Sequence, residues 1–226
     1  MASSRVFVDR TEAGRRLAER LARFRGEQPL VLALPRGGVP VGFEVAHALD
    51  APLDLILVRK IGAPFQPELA IGAVVDGDQA ETVLRHDLIE HFQISERYIE
   101  RACARELQEI ERRRRLYGAG RAKVEVRERT AIVVDDGIAT GATMEAALHA
   151  TRRAGPRRVV LAVPVAPPDT IERLRSQVDA IECLMTPDDL GAIGTFYADF
   201  RQLSDREVVA LLERAAAGDW GEGEAT

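Results

Sequence analysis

The stretch Val133-Val134-Asp135-Asp136-Gly137-Ile138-Ala139-Thr140-Gly141-Ala142-Thr143 joins an apolar run to two carboxylates, a turn of small residues and a helix start. Backbone N–H groups of residues 139–143 can converge on an anion, and the Thr140 and Thr143 hydroxyls can donate further hydrogen bonds to it. Asp135 and Asp136 would repel a second phosphate, but they can accept hydrogen bonds from ribose hydroxyls and hold a hydrated magnesium ion. The stretch therefore favours a phosphorylated sugar as its ligand.

A plain interpretation of the same residues is an ordinary strand-to-helix turn with Asp-Gly chemistry and a threonine cap. A lone Thr-Gly-x-Thr turn would not separate the two interpretations. The complete string is more specific, because the apolar strand, the two acids and the anion loop follow one another without a gap.

Two motifs upstream have similar chemistry. Leu34-Pro35-Arg36-Gly37-Gly38-Val39-Pro40 places two glycines after an apolar run, where they let the backbone approach a ligand closely. Val58-Arg59-Lys60 ends a second apolar run, and Lys60 carries a compact positive charge suited to a phosphate group. Each motif also has a plain alternative, a turn with an exposed arginine in the first case and a solvated pair of charges in the second.

Apolar runs alternate with helical patterns along most of the chain. Strands are predicted at 30–34, 53–58, 70–75, 130–134, 159–165 and 180–185, and helices at 39–49, 95–117, 141–154, 169–178 and 204–216, after a first helix with Leu17, Leu21 and Phe24 and a cap at Asp9 or Thr11. Continuous apolar strands joined by helices are typical of a parallel sheet covered on both faces. The prediction is an α/β fold with a doubly wound, mostly parallel sheet.

Composition limits the classes of partner. The 226 residues carry 31 basic and 36 acidic side chains, a formal net charge of -5, which gives no electrostatic basis for binding nucleic acid. Cys103 and Cys183 lack metal-ligand spacing and suit a reducing compartment. Because no window approaches the roughly 18 apolar residues of a membrane span, we expect a cytoplasmic protein without a membrane partner.

Taken together, residues 34–40, 58–60 and 133–143 resemble the motifs of the type I phosphoribosyltransferases, and are most similar to the group of predicted members whose acceptor is unassigned. The resemblance covers about residues 29–185. It implies a Rossmann-like core with a small hood built by the N-terminal helix, by residues 186–203 or by both, in a single domain over 1–217 followed by a flexible tail at 218–226. Dimers are usual in the family, so a homodimer is expected by analogy.

The resemblance also implies an activity: magnesium-dependent transfer of a 5-phosphoribosyl group from 5-phosphoribosyl 1-pyrophosphate (PRPP) to a nitrogen base, with release of pyrophosphate. It assigns Lys60, Arg36 and Asp136 to catalysis, and Asp135 and Asp136 to the metal ion through water. Pyrophosphate binding falls to Arg36, Gly37, Gly38, Arg59 and Lys60. PRPP binding falls to Asp135, Asp136, Gly137, Ile138, Ala139, Thr140, Gly141, Ala142 and Thr143.

The acceptor is not specified by these motifs. In the hypoxanthine-guanine branch an acid precedes the Thr-Gly pair, whereas Ala139 stands there in this chain, as in adenine-type motifs. Phe196, Tyr197 and Asp199 offer aromatic faces and a carboxylate for a planar base, although a short core strand explains the aromatic residues equally well. A loop from Gly62 to about Asp78 is expected to close over the site, and it brings three further acids that could assist the acceptor, namely Glu68, Asp76 and Asp78.

Two alternatives share the fold but not the activity. One is a sensor that binds PRPP or a nucleotide without catalysis, against which the retained Arg36, Lys60 and acidic pair weigh. The other is a hydrolase in which water replaces the base. The four histidines show no ligand spacing for zinc, and the basic run 112–115 is interpreted as a solvated helix end.

Overall fold

The computed structural model describes residues 6–67, 69–76, 81–118 and 124–221. The strands in chain order are β1 (Pro29–Ala33), β2 (Leu53–Leu55), β3 (Val58–Gly62), β4 (Ala70–Val75), β5 (Glu81–Leu84), β6 (Thr130–Val134), β7 (Arg158–Val165) and β8 (Ala180–Met185). The helices are α1 (Arg10–Leu21), α2 (Gly38–Leu49), α3 (His86–His91), α4 (Glu96–Gly118), α5 (Ala142–Arg153), α6 (Pro168–Leu174) and α7 (Asp205–Ala217).

Five of these strands form one parallel sheet in the order β2-β1-β6-β7-β8. Every residue of β1 and β6 is buried, because helices cover both faces. Alternate residues of β6 enter two separate apolar clusters: Ile132 and Val134 pack with α1 and α2, while Ala131 and Val133 pack with α5. The predicted doubly wound α/β fold is therefore confirmed.

Helix α1 forms where the sequence predicted it. The Asp9 side chain accepts a 2.8 Å hydrogen bond from the Glu12 amide and so caps the helix. The helix lies close against α2 at Gly14, where an added Cβ would come within 2.9 Å of the Val41 carbonyl oxygen. This close approach packs α1 tightly against α2.

The apolar run 53–58 was predicted as one strand, and that prediction was wrong. The chain pairs with β1 up to Ile56, whose amide donates to the Ala33 carbonyl, and from Leu57 onward it pairs with the β4 region, where the Leu57 carbonyl accepts from Asp76. An apolar run shows burial but not the identity of the partner strand, so the change of sheet has no signal in the sequence.

A second sheet follows that change. Its antiparallel order is β3-β4-β5, and strand β4 returns as predicted, whereas β5 and the short α3 were not anticipated. Helix α4 packs on this sheet, and the Tyr98 hydroxyl donates a 2.8 Å hydrogen bond to the Gly62 carbonyl.

The two segments expected to build a hood meet each other. The Phe7 amide donates to the Phe196 carbonyl at 2.9 Å, and the Ala198 amide donates back to the Phe7 carbonyl at 2.8 Å. Phe7, Phe196 and Tyr197 form a small buried cluster with Ala13 and Val165. In the tail predicted to be flexible, Trp220 stacks on His47 with ring centroids 5.2 Å apart, while residues 222–226 lie outside the described part of the chain.

Across the described residues, no helix has both the length and the apolar composition that spanning a bilayer requires.

Candidate functional site

The sheet topology locates a crevice. Strand β1 lies between β2 and β6: from β1 the chain proceeds through α2 to β2 on one side, and from β6 it proceeds through α5 to β7 on the other. In open α/β sheets, ligands bind beyond the carboxyl ends of the strands at such a reversal of direction. The glycine motif follows β1 and the acidic pair follows β6, so two of the sequence motifs flank this crevice.

The glycine turn, residues 35–38, lies directly against the acidic pair, Asp135 and Asp136. A Cβ added to Gly37 would lie 2.1 Å from Asp136 Oδ2, and one added to Gly38 would lie 2.7 Å from the Val134 carbonyl oxygen. The peptide bond between Pro35 and Arg36 is cis. Only glycine fits at position 37 while Asp136 keeps its place, which explains the Gly-Gly pair in the motif.

The acidic pair lies in a protected environment. The Asp135 carboxylate accepts a 2.8 Å hydrogen bond from the Asp136 amide. Burial and the neighbouring Asp136 charge raise the pKa of Asp135 well above its usual range. Burial also raises the pKa of Asp136, although its hydrogen bond from Arg10 opposes that effect. Two acids held this way favour a ligand that brings positive charge or hydroxyl donors.

Helix α6 braces the loop of residues 139–143. The Thr170 hydroxyl donates to the Ala139 carbonyl at 3.1 Å, and Arg173 Nη2 donates to the Thr140 carbonyl at 2.5 Å. Gly141 has a φ of 81°, which suits glycine, and it is the residue before the first turn of α5. The Ala139 and Thr140 carbonyls are thus engaged by α6, and the following residues lie at the N-terminus of α5, where backbone amides can bind an anion.

The Arg36 side chain lies close to an acid of α7 that is also bonded to α4. Its Nη1 lies 3.9 Å from Asp205 Oδ1 at the start of α7, and that oxygen also accepts a 2.5 Å hydrogen bond from the Tyr117 hydroxyl. Burial, followed by the Asp205 contact, raises the pKa of Tyr117 to about 12. Tyr117 therefore remains a hydrogen-bond donor to Asp205 at neutral pH.

Arg59 and Lys60 are neighbours in β3, so their side chains lie on opposite faces of the strand. Successive residues of β3 project to opposite faces. Arg59 Nε is paired with Glu106 of α4 at 2.9 Å, while Lys60 lies in register with Ala73 of β4. The assignment of both cations to pyrophosphate stays a prediction, and in this structure Arg59 is engaged by a carboxylate.

The residues predicted for the acceptor differ in exposure. Phe196 and Tyr197 are buried in the hood, where the Tyr197 hydroxyl donates a 2.5 Å hydrogen bond to the Asp136 carbonyl. Asp199 is exposed and lines a cleft of about 500 Å³ together with Arg10. Asp76 forms an ion pair with Arg114, and Glu68 and Asp78 lie outside the described residues.

Several residues at the site were missed by the sequence argument. Arg10 contacts Asp136, Thr170 and Arg173 hold the anion loop, and Asp205 lies beside Arg36. None stands in a recognisable motif, and each reaches the site through a contact across the fold. The capping pattern before α1 predicted that helix, but nothing in it indicated that Arg10 would reach an acid 126 residues away.

The donors present suit a magnesium ion. Magnesium binds through one or two carboxylates, waters and substrate phosphates, and Asp135 and Asp136 supply the carboxylates beside the anion loop. Among the described residues, no group of three or more His, Cys, Asp or Glu side chains gathers as a metal cage. The acidic pair fits a hydrated ion shared with a ligand.

A doubly wound parallel sheet with paired acids and a glycine turn at its switch point defines the class of α/β protein to which this chain belongs. The chain belongs to the phosphoribosyl transferase domain family, whose model matches residues 9–200. This confirms the family inferred from the three motifs, and it extends the match beyond residues 29–185 to both hood segments.

Among its relatives is "Putative phosphoribosyl transferase Rv0571c" of Mycobacterium tuberculosis (strain ATCC 25618 / H37Rv), which is 46% identical over 211 residues, 93% of this chain and 47% of that protein. The chain thus spans about half the length of the curated relatives it matches. The crystal structure of TT1426 from Thermus thermophilus is 45% identical, covers 91% of this chain and 97% of that chain, and has a TM-score of 0.76.

Proposed function

We propose that this chain transfers a 5-phosphoribosyl group from PRPP to a nitrogen base and releases pyrophosphate. The observation that carries the proposal is the direct contact of the Gly37-Gly38 turn with Asp136 across the crevice between β1 and β6. This contact brings together the glycine turn and the acidic segment, which we assign to opposite ends of the same ligand.

The loop of residues 139–143 is assigned to the 5-phosphate. Thr170 and Arg173 hold the Ala139 and Thr140 carbonyls and so fix the loop, and we assign its amides and the Thr140 and Thr143 hydroxyls as donors to the phosphate. Asp135 and Asp136 lie just before the loop, separated from it by Gly137 and Ile138. We assign them to the ribose hydroxyls as hydrogen-bond acceptors.

The glycine turn is assigned to pyrophosphate. The Gly37 and Gly38 backbone allows close approach, and Arg36 and Lys60 supply positive charge. Cleavage at the anomeric carbon places negative charge on the departing pyrophosphate and positive charge on the sugar ring. Arg36 and Lys60 therefore assist by holding the leaving group, while the acidic pair faces the ring that becomes cationic.

When bound through water by Asp135 and Asp136, a magnesium ion would neutralise part of the pyrophosphate charge.

The acceptor is assigned only as a planar nitrogen base. Ala139 offers no acid or base from the loop, so help for the nucleophile has to come from another segment. Asp199 is an exposed carboxylate of the hood next to Phe200, whose ring lies on Arg10, and we assign it to the acceptor side. Phe196 and Tyr197 support the hood through burial rather than by offering an open aromatic face.

Calorimetric titration of PRPP with magnesium tests the site, using the wild type and the double variant Asp135→Asn/Asp136→Asn. We expect binding by the wild type and its loss in the variant. A pyrophosphate-release assay across a panel of nucleobases then identifies the acceptor. Release of ribose 5-phosphate without any base would indicate a hydrolase, and binding without release would indicate a sensor. Absence of binding by the wild type would contradict the proposal.

A further inference from the structure

Arg10 is the first residue of α1 and lies outside all three motifs, yet its side chain extends to the acidic pair. Its Nε lies 2.7 Å from Asp136 Oδ2, and each of the two side chains is only 11% exposed. Removing two charges from water is costly, so such a pair persists only where the surroundings fix its geometry. This contact therefore differs from the exposed ion pairs found elsewhere on the surface.

Two hood residues hold the guanidinium in place. Arg10 Nη1 donates a 3.0 Å hydrogen bond to the Arg201 carbonyl, and Arg10 Cζ lies 3.9 Å from the centre of the Phe200 ring. A cation over an aromatic face is attracted by the ring, most strongly where water is excluded. Arg10 is thus anchored by a carbonyl and a ring in addition to the carboxylate.

Asp136 is held from its backbone as well. The Tyr197 hydroxyl donates to the Asp136 carbonyl at 2.5 Å, while Arg10 engages the side chain. With Oδ2 committed to Arg10, rotation of the carboxylate is restrained. The carboxylate also shares a hydrogen bond with the Asp135 side chain, and its remaining lone pairs can accept from a further donor.

We propose that Arg10 is a positioning residue of the sugar site, which fixes the Asp136 carboxylate so that its other oxygen can accept from a ribose hydroxyl. This inference rests on the proposed function. It adds a residue from the N-terminal hood to a site whose other members follow the sheet strands.

A competing role would make Arg10 a plug that a ligand must displace from Asp136. The two roles predict opposite effects of removing the guanidinium. A plug opposes binding, so its loss tightens ligand affinity, whereas loss of a positioning residue weakens affinity for ligands that contain ribose. The carbonyl and ring anchors favour positioning, because displacement would sacrifice both contacts together with the ion pair.

The experiment compares two ligands by calorimetric titration, PRPP with magnesium and inorganic pyrophosphate without it. The variants are Arg10→Gln, Arg10→Lys and the control Arg15→Gln, whose arginine lies on the same helix and pairs with Glu44 with its own side chain 57% exposed. We expect Arg10→Gln to weaken PRPP binding by about tenfold or more, as for loss of a charged hydrogen bond. Arg10→Lys should recover part of the loss, and Arg15→Gln should match the wild type.

Pyrophosphate binding without magnesium serves as the internal check, because it uses the glycine turn and needs neither a ribose contact nor the metal ion assigned to the acidic pair. It should be unchanged in every variant. The inference would be overturned if Arg10→Gln and Arg10→Lys both lost affinity for the two ligands equally. It would also be overturned if Arg10→Gln bound PRPP as well as or better than the wild type, and neither result would contradict the proposed function. If the wild type failed to bind PRPP, the proposed function would fall and the inference with it.

Discussion

Asp205 Oδ1 lies 3.9 Å from Arg36 Nη1, which places an acid from the start of α7 beside the cation of the glycine turn. The same oxygen accepts a hydrogen bond from Tyr117, so α4 helps to hold the acid in place. With the two side chains 32% and 37% exposed, the pair itself contributes little to stability. Its main effect is on the charge that an incoming anion meets.

Removing that acidic charge should favour anion binding. We expect Asp205→Asn to tighten pyrophosphate affinity about two- to threefold, because a carboxylate near an exposed anion site repels the ligand only weakly in water. Calorimetric titration with pyrophosphate and magnesium measures the effect. The comparison variant Tyr117→Phe keeps the Asp205 charge and should show no such gain, so a gain of equal size in both variants would contradict this explanation.

Gly37 should not tolerate a side chain. In Gly37→Ala the new Cβ would lie 2.1 Å from Asp136 Oδ2 and force the carboxylate from its position. We expect PRPP affinity to fall by about tenfold or more, since loss of one charged contact already has that effect. Gly26→Ala is the matched control, because nothing lies within 4 Å of its added Cβ. Normal PRPP binding by Gly37→Ala would show that the glycine turn does not constrain Asp136.

Thr170 should matter to the 5-phosphate more than to pyrophosphate. Thr170→Val keeps the shape of the buried side chain but removes the hydrogen bond to the Ala139 carbonyl. We expect a loss of about 1 kcal/mol in unfolding free energy, together with weaker binding of ribose 5-phosphate. Denaturant titration measures the first and calorimetry the second. Unchanged ribose 5-phosphate affinity would mean that the loop does not depend on α6.

Helix α7 should lose a stabilising contact in acid. Glu207 accepts hydrogen bonds from Ser204 and forms an ion pair with Arg201. Together these contacts lower the pKa of Glu207 from an ordinary 4.5 to about 2. Since the folded pKa is the lower one, this contribution is fully present above pH 4.5 and is lost as the pH falls toward 2. The wild type should therefore exceed Glu207→Gln in melting temperature at pH 7, by a margin that shrinks by pH 3. A margin independent of pH would contradict the assignment.

The sheet was predictable because its strands are continuous apolar runs, and the runs at 130–134 and 159–165 appear as β6 and β7 with nearly the predicted bounds. The positions of the acidic pair and of residues 139–143 in the fold were predictable because both follow β6 closely in the sequence. These features are local, so the residues that define them are neighbours in the sequence.

The remaining features depend on contacts between distant residues. Ile56 and Leu57 look alike in the sequence, yet one pairs with β1 and the other with the β4 region. Arg10 resembles any arginine in the first turn of a helix until the fold brings it to Asp136. Phe196 and Tyr197 were open to two interpretations, and only the structure shows that both are buried.

The pairing of Phe7 with Tyr197 and of Arg10 with Asp136 also sets an order of events during synthesis. Contacts between residues this far apart have to wait for the later partner to be made, since loops of that length close only after both ends exist. Residues 6–10 are therefore synthesised long before residues 196–201 but make their final contacts only after them. A nascent chain can complete its parallel sheet, whose last strand ends at Met185, before Arg10 has its anchors, and the ribosome has to pass Arg201 before Arg10 can reach its final position.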